Sequence, residues 1–190
     1  MAAVNLRRGS QDMSKKFADF IKTQQVSKAD DSIDWKKQRD EWLKYLDDFY
    51  ALVESSLKPY VEKRQISISF ESKQIFEEEI GSYEVKSARI KIGHSEAKLD
   101  PIGTLLVGAK GRVDLVGPRG TARFVLVDAD STGPRITVRS SVVGQDLPPE
   151  PPRKKVERWA WRRTTLPPRI TYLPLTDESF QDSLLEVMNG

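Results

Sequence analysis

A chain of 190 residues can bury roughly 70% of its unfolded surface as one domain without covalent staples. It holds no cysteine, which excludes thiol nucleophiles, Cys-type zinc or iron–sulfur sites and disulfides, and agrees with a reducing compartment. The formal net charge is only +3, less than most dedicated nucleic-acid binders carry, so the placement of charge matters more than its sum.

From the N-terminus, Met13, Phe17, Phe20 and Ile21 recur at helical spacing and predict a short amphipathic helix within an arm over 1–30. A single domain is expected over 31–190. Asp31 and Ser32 offer an N-cap for a long helix over 31–60, with Asp34 in its first turn. Its stripe of Trp35, Trp42, Leu46, Phe49, Val53, Leu57 and Tyr60 approaches a heptad seam, and its regular part ends at Leu57, before Pro59. Tyr45 and Tyr50 widen the stripe, which favours packing on a sheet over a coiled-coil partner.

From Gln65 the period falls to two, and 65–143 is expected to be antiparallel sheet. Alternating apolar residues mark strands at 66–70, 83–85, 90–92, 105–107, 113–116, 122–127 and 136–138. The clearest hairpin is GRVDLVGPRGTARFVLVD. A loop at 117–120 would pair Val116 with Thr121, Leu115 with Ala122, Asp114 with Arg123 and Val113 with Phe124. That register gathers Val113, Leu115, Ala122, Phe124 and Leu126 on one face.

The segment 144–152, GQDLPPEPP, reads as a stiff proline connector. In 153–190, strands follow at 156–163 and 169–173. Thr176 then caps a terminal helix with Asp177 and Glu178 at its positive end and Phe180, Leu184, Val187 and Met188 as its buried stripe. The predicted fold class is α+β: a central, mostly antiparallel sheet with a long N-terminal and a short C-terminal helix packed on it.

Catalytic chemistry is sparse. His94 is the only histidine, so neither a Ser-His-Asp triad nor a two-histidine metal site can be built. The stretch 108-GAKGR-112 lacks the spacing of either common phosphate loop and reads as a turn. Glu77, Glu78 and Glu79 diverge on any regular element and read as a solvated face or an electrostatic partner for the basic block. No cofactor and no metal are expected.

One constellation carries a resemblance. A strand with GRVDLV, a turn, and a strand ending in FVLVDAD resembles over about 20 residues the metal-binding hairpin of restriction-endonuclease-like nucleases, the PD-(D/E)xK family. The resemblance implies Asp114 and Asp128 as magnesium ligands. Asp130 stands where that family has its lysine, and the hairpin register sets Asp114 and Asp128 on opposite faces unless a bulge intervenes.

The basic charge is concentrated. Residues 151–170 hold seven cations and one acid, and residues 171–190 hold four acids and no cation. On a strand over 156–163, Trp159 and Trp161 share a face with Arg163, while Arg158 and Arg162 take the other. The tryptophans then either face the long helix, the favoured placement, or stack on unpaired bases. Arg153, Lys154, Lys155, Arg158, Arg162 and Arg163 are the candidate polyanion contacts, with Trp159 and Trp161 the partner-binding or stacking candidates.

No run of ~18 apolar residues that would span a membrane is present, and MAAVNLRRGS lacks the apolar stretch of a secretory signal. The expectation is a cytoplasmic, non-enzymatic accessory subunit, docking a protein partner or a second copy through the long helix and the segment 153–163. The alternatives are a DNA- or RNA-binding module and a degenerate nuclease of the PD-(D/E)xK type.

Overall fold

The computed structural model describes residues 34–104, 108–134 and 156–189. The expected arm helix at 13–21, the strands at 105–107 and 136–138, the connector 144–152 and the cations Arg153, Lys154 and Lys155 lie outside these residues. The described elements are α1 (Trp35–Glu62), β1 (Ile66–Glu77), β2 (Gly81–Ile92), β3 (Ser95–Gly103), β4 (Gly111–Gly117), β5 (Gly120–Asp128), β6 (Trp159–Thr164), β7 (Tyr172–Pro174) and α2 (Asp177–Asn189). The strands form one seven-stranded sheet in chain order, antiparallel at every step. The fold is α+β, with both helices packed on that sheet.

Helix α1 forms around its stripe. Trp42, Leu46, Phe49, Val53 and Leu57 are buried, each contributing about 1.5–3 kcal/mol over an exposed position. The helix runs past Pro59 to Glu62, beyond the expected stop. Proline lacks the N–H that would bond the carbonyl of Ser55, and both residues lie on the exposed side, where water replaces the missing bond. A Schellman turn closes the helix: Arg64 N–H donates to Val61 O at 2.9 Å and Gln65 N–H to Tyr60 O at 2.9 Å, with Arg64 at φ 57°. At the other end of the chain, Thr176 caps α2. Ser179 N–H donates to Thr176 Oγ1 at 3.2 Å, and Thr176 N–H donates to Ser179 Oγ at 2.8 Å, a reciprocal box with serine in place of the usual glutamate.

The β4–β5 hairpin has the expected register, from Val113 opposite Phe124 to Val116 opposite Thr121. Val113, Leu115, Phe124 and Leu126 are fully buried on its inner face, toward α1 and α2. Two glycines permit the helices to approach. A Cβ at Gly111 would lie 2.1 Å from the Trp42 ring, and one at Gly117 would lie 2.4 Å from Val187 O. At the same turn Arg119 N–H donates to Val187 O at 2.9 Å.

Strand β3 begins directly after the turn at Gly93 and His94. Ala97 and Leu99 face the core, and the strand ends in an irregularity between Pro101 and Gly103. It pairs with β2 only over Ala88–Ile92. Beyond that point β1 and β2 continue alone as a two-stranded ribbon in unbroken register to Glu77 opposite Gly81. Isolated ribbons twist more than wide sheets do, and the burial pattern records the turn. Ala88 and Ile90 are buried in the paired half, whereas Tyr83, Val85 and Ser87, of opposite parity, are buried in the free half.

Candidate functional site

The basic-aromatic segment becomes β6, between β5 and β7, and the structure separates its members. Trp161 points inward. Its Nε1–H donates to Tyr45 O at 2.9 Å, and its ring lies 4.8 Å from that of Phe49 and 5.8 Å from that of Trp42. The aromatic contacts continue from Phe49 to Phe124 at 5.4 Å and from Phe124 to Phe180 at 5.8 Å, joining α1, β5 and α2. Trp159 lies at the rim of the same face, half-buried, with Lys110 Nζ 5.1 Å from its ring centroid. Lys110 is also paired with Glu41 and 5.5 Å from the Tyr45 ring. A protein cation therefore already stacks on one face of this indole.

Arg162 donates from Nη2 to Ala129 O at 2.7 Å, and its buried Nε has no partner among the described residues. Arg163 is paired with Glu186 of α2. Arg158 reaches Asp130 at 3.2 Å and its side chain remains 76% exposed, so of these three arginines it is the one open to a polyanion. The structure thus places Arg162 and Arg163 in the framework of the fold.

Asp114 and Asp128 do not converge. Asp114 is the cross-strand neighbour of Arg123, five residues along β5 from Asp128, and lies on the opposite face of the hairpin. No bulge reverses this. Although Asp114 stands opposite Arg123 as the register predicts, it is buried and its charge partner is Arg112 on its own strand, bidentate at 2.7 and 2.5 Å, because side chains two apart on a strand share a face. Asp128 accepts the Asp130 N–H at 3.0 Å and so opens the turn that follows β5. Among the described residues no group of three or more His, Asp or Glu side chains could hold a metal ion.

A polar cluster that the sequence conceals lies at the twisted end of the β1–β2 ribbon. Glu77 is buried, contrary to a solvated acidic run, and its carboxylate accepts the Thr104 N–H at 2.9 Å, the Thr104 hydroxyl at 3.1 Å and the Tyr83 hydroxyl. Gln38 Nε2 extends the network from α1 to Thr104 Oγ1 at 3.1 Å. Burial, then the hydrogen bond and charge of Glu77, raise the Tyr83 hydroxyl pKa, so it stays a protonated donor.

The sheet's outer face carries a charge ladder instead. Arg89 bridges Glu71 at 3.0 Å and Glu96 at 2.7 Å, and Lys73 and Lys98 flank Asp100 at 3.0 and 3.2 Å. Hydrogen bonding from Arg89, aided by its charge and that of Lys98, holds the Glu71 carboxyl below the usual range. Burial works against the charge on Asp100, yet bonds from Lys73 and Lys98 also leave it low.

A groove of about 720 Å³ lies between α1 and the β1–β2 ribbon, with Leu43, Leu46, Tyr50, Phe70 and Val85 among the residues that line it. Tyr50 anchors it, its hydroxyl donating to Lys86 O at 2.6 Å and its ring meeting that of Phe70 edge-on at 5.3 Å. Phe70 is 43% exposed. An exposed phenylalanine beside a buried tyrosine is the kind of aromatic anchor that docking surfaces favour. The alternation of β1 contains this residue, but nothing in its sequence spacing distinguishes it from a core position.

Among the described residues no helix is long and apolar enough to cross a membrane. No protein-family model matches the chain, and neither a curated protein nor a solved structure resembles it with statistical significance.

Proposed function

We propose that the chain is a non-enzymatic binding subunit of a cytoplasmic assembly, docking its partner along the flank of α1. The observation that carries this reading is the groove between α1 and the β1–β2 ribbon, about 720 Å³ in volume with an apolar floor and a half-open Phe70. The buried stripe of α1 is committed to its own sheet, so docking uses the helix flank and not the stripe. The segment 156–163 contributes through its rim, where Arg158 is exposed and Trp159 half-buried.

Ala51 is an exposed α1 residue lining the groove, and a bulky side chain there fills it without entering the core. Tagged wild-type chain recovered from its native source should carry a stoichiometric partner, whereas Ala51→Trp should lose it while melting at the same temperature. Wild-type chain that elutes alone after mild crosslinking would count against the reading.

A further inference from the structure

We infer that the occupant of the α1 groove is a cationic amphipathic segment, placing apolar side chains on the floor and lysine or arginine at the rims; this rests on the docking reading above. Charge carries the inference. Asp47 and Glu54 stand on the helix side of the groove and Glu84 on the ribbon side, and Lys86 is the one cation among the described residues that line it.

These acids are not equivalent. Asp47 is already engaged by Lys86 at 3.0 Å. Glu54 and Glu84 have no ion-pair partner among the described residues, one on each bank. The Lys86–Asp47 pair crosses the groove with both side chains more than 60% exposed, so an incoming cation can replace Lys86 at little cost. An anionic partner would meet uncompensated carboxylates on both sides, and that repulsion selects against it.

The floor determines the rest of the chemistry. Leu46 and Val85 are buried beneath the groove, and Phe70 presents its ring toward it from the ribbon. A purely hydrophilic basic peptide would leave that ring wet. The groove lies between a helix and a ribbon and is not an enclosed cavity, which suits a chain laid into it better than a small molecule.

The test uses a labelled helical leucine–lysine peptide, compared with leucine–glutamate and serine–lysine peptides of the same length and spacing. The full chain should bind only the first, with an affinity that falls as salt rises. The double variant Glu54→Lys, Glu84→Lys should weaken it by about tenfold or more, and Ala51→Trp should abolish it. Asp182→Lys, at an exposed acid on α2, should leave it unchanged. Equal binding of the leucine–glutamate or serine–lysine peptide, no binding of the leucine–lysine peptide, or indifference to the double reversal would overturn the inference.

The docking reading fails separately. If the native partner is lost in Ala51→Trp while the leucine–lysine peptide never binds, docking stands and the cationic assignment falls. The same holds if Ala51→Trp converts a self-associated chain to monomer, which would make a second copy the occupant. If the native complex survives Ala51→Trp, both fall.

Discussion

The two faces of the sheet are held by different physics. On the inner face Trp42, Phe49, Trp161, Phe124 and Phe180 form a continuous run of ring contacts, and the buried carboxylate of Glu77 accepts bonds from the Tyr83 hydroxyl and the Thr104 N–H. On the outer face Glu71, Arg89, Glu96, Lys98, Asp100 and Lys73 pair with one another at the surface. Inner contacts cannot be exchanged for water, while outer ones can. The inner face should therefore dominate stability, and the outer face should respond to salt and pH.

Truncating Trp161 should have the largest effect. Trp161→Ala removes two ring contacts and the bond to Tyr45 O, and is expected to cost ~3–5 kcal/mol in denaturant unfolding. Trp159→Ala should cost visibly less, since its best-defined contact is a rim cation–π pair worth about 0.5–1 kcal/mol. Equal losses would break the distinction between inward and rim positions.

Gly111→Ala comes next, at ~1–3 kcal/mol, because its Cβ would meet the Trp42 ring and overpack the seam. Glu77→Gln keeps the shape but places an amide NH₂ among donors, and should cost about 1–3 kcal/mol through unsatisfied buried groups. A Glu77→Gln protein as stable as wild type would mean that this buried network adds nothing to folding.

The smallest effect belongs to the outer face, and its sign is fixed. Glu71 and Asp100 have folded-state pKa values below their ordinary ones. Their stabilising contribution is complete above the ordinary carboxylate pKa of about 4 and disappears as pH falls through the lowered values. The combined Glu71→Gln, Asp100→Asn variant should melt slightly below wild type at neutral pH, and the gap should close in acid and narrow in high salt. A gap unchanged across pH and salt would remove the contrast between the faces.

Local patterns in the sequence predict what neighbouring residues decide. The β4–β5 register follows from alternation and a four-residue loop, and the Thr176 cap follows from the residues just after it. What escapes is set by distant parts of the chain. Glu77 reads as one of three surface acids, because its burial depends on the ribbon twisting beyond β3 to meet Thr104. Strand β3 is hidden by Lys98, Asp100 and Pro101, and it forms because β2 and β4 supply partners on both sides. Trp159 and Trp161 share a face by parity, but only the position of α1 makes one core and the other rim. The candidate site was the least legible part. Its aromatic anchor, Phe70, sits on an ordinary alternating strand, and its acids come from two elements whose approach no spacing rule announces.

The meander order has a kinetic consequence. Every described strand pairs with its neighbour in sequence, so β1 to β5 can zip up hairpin by hairpin across short loops, whereas β6 joins β5 only after the long connection between Asp128 and Trp159. The contacts that bind α1 to the end of the chain are different: Trp161 reaches Tyr45 across 116 residues, and Gln181 reaches Ser56 across 125. Such closures are expected after the rate-limiting barrier, as a clasp fastened over a sheet already assembled. Stopped-flow traces should then show Trp161→Ala accelerating unfolding while refolding keeps nearly its wild-type rate.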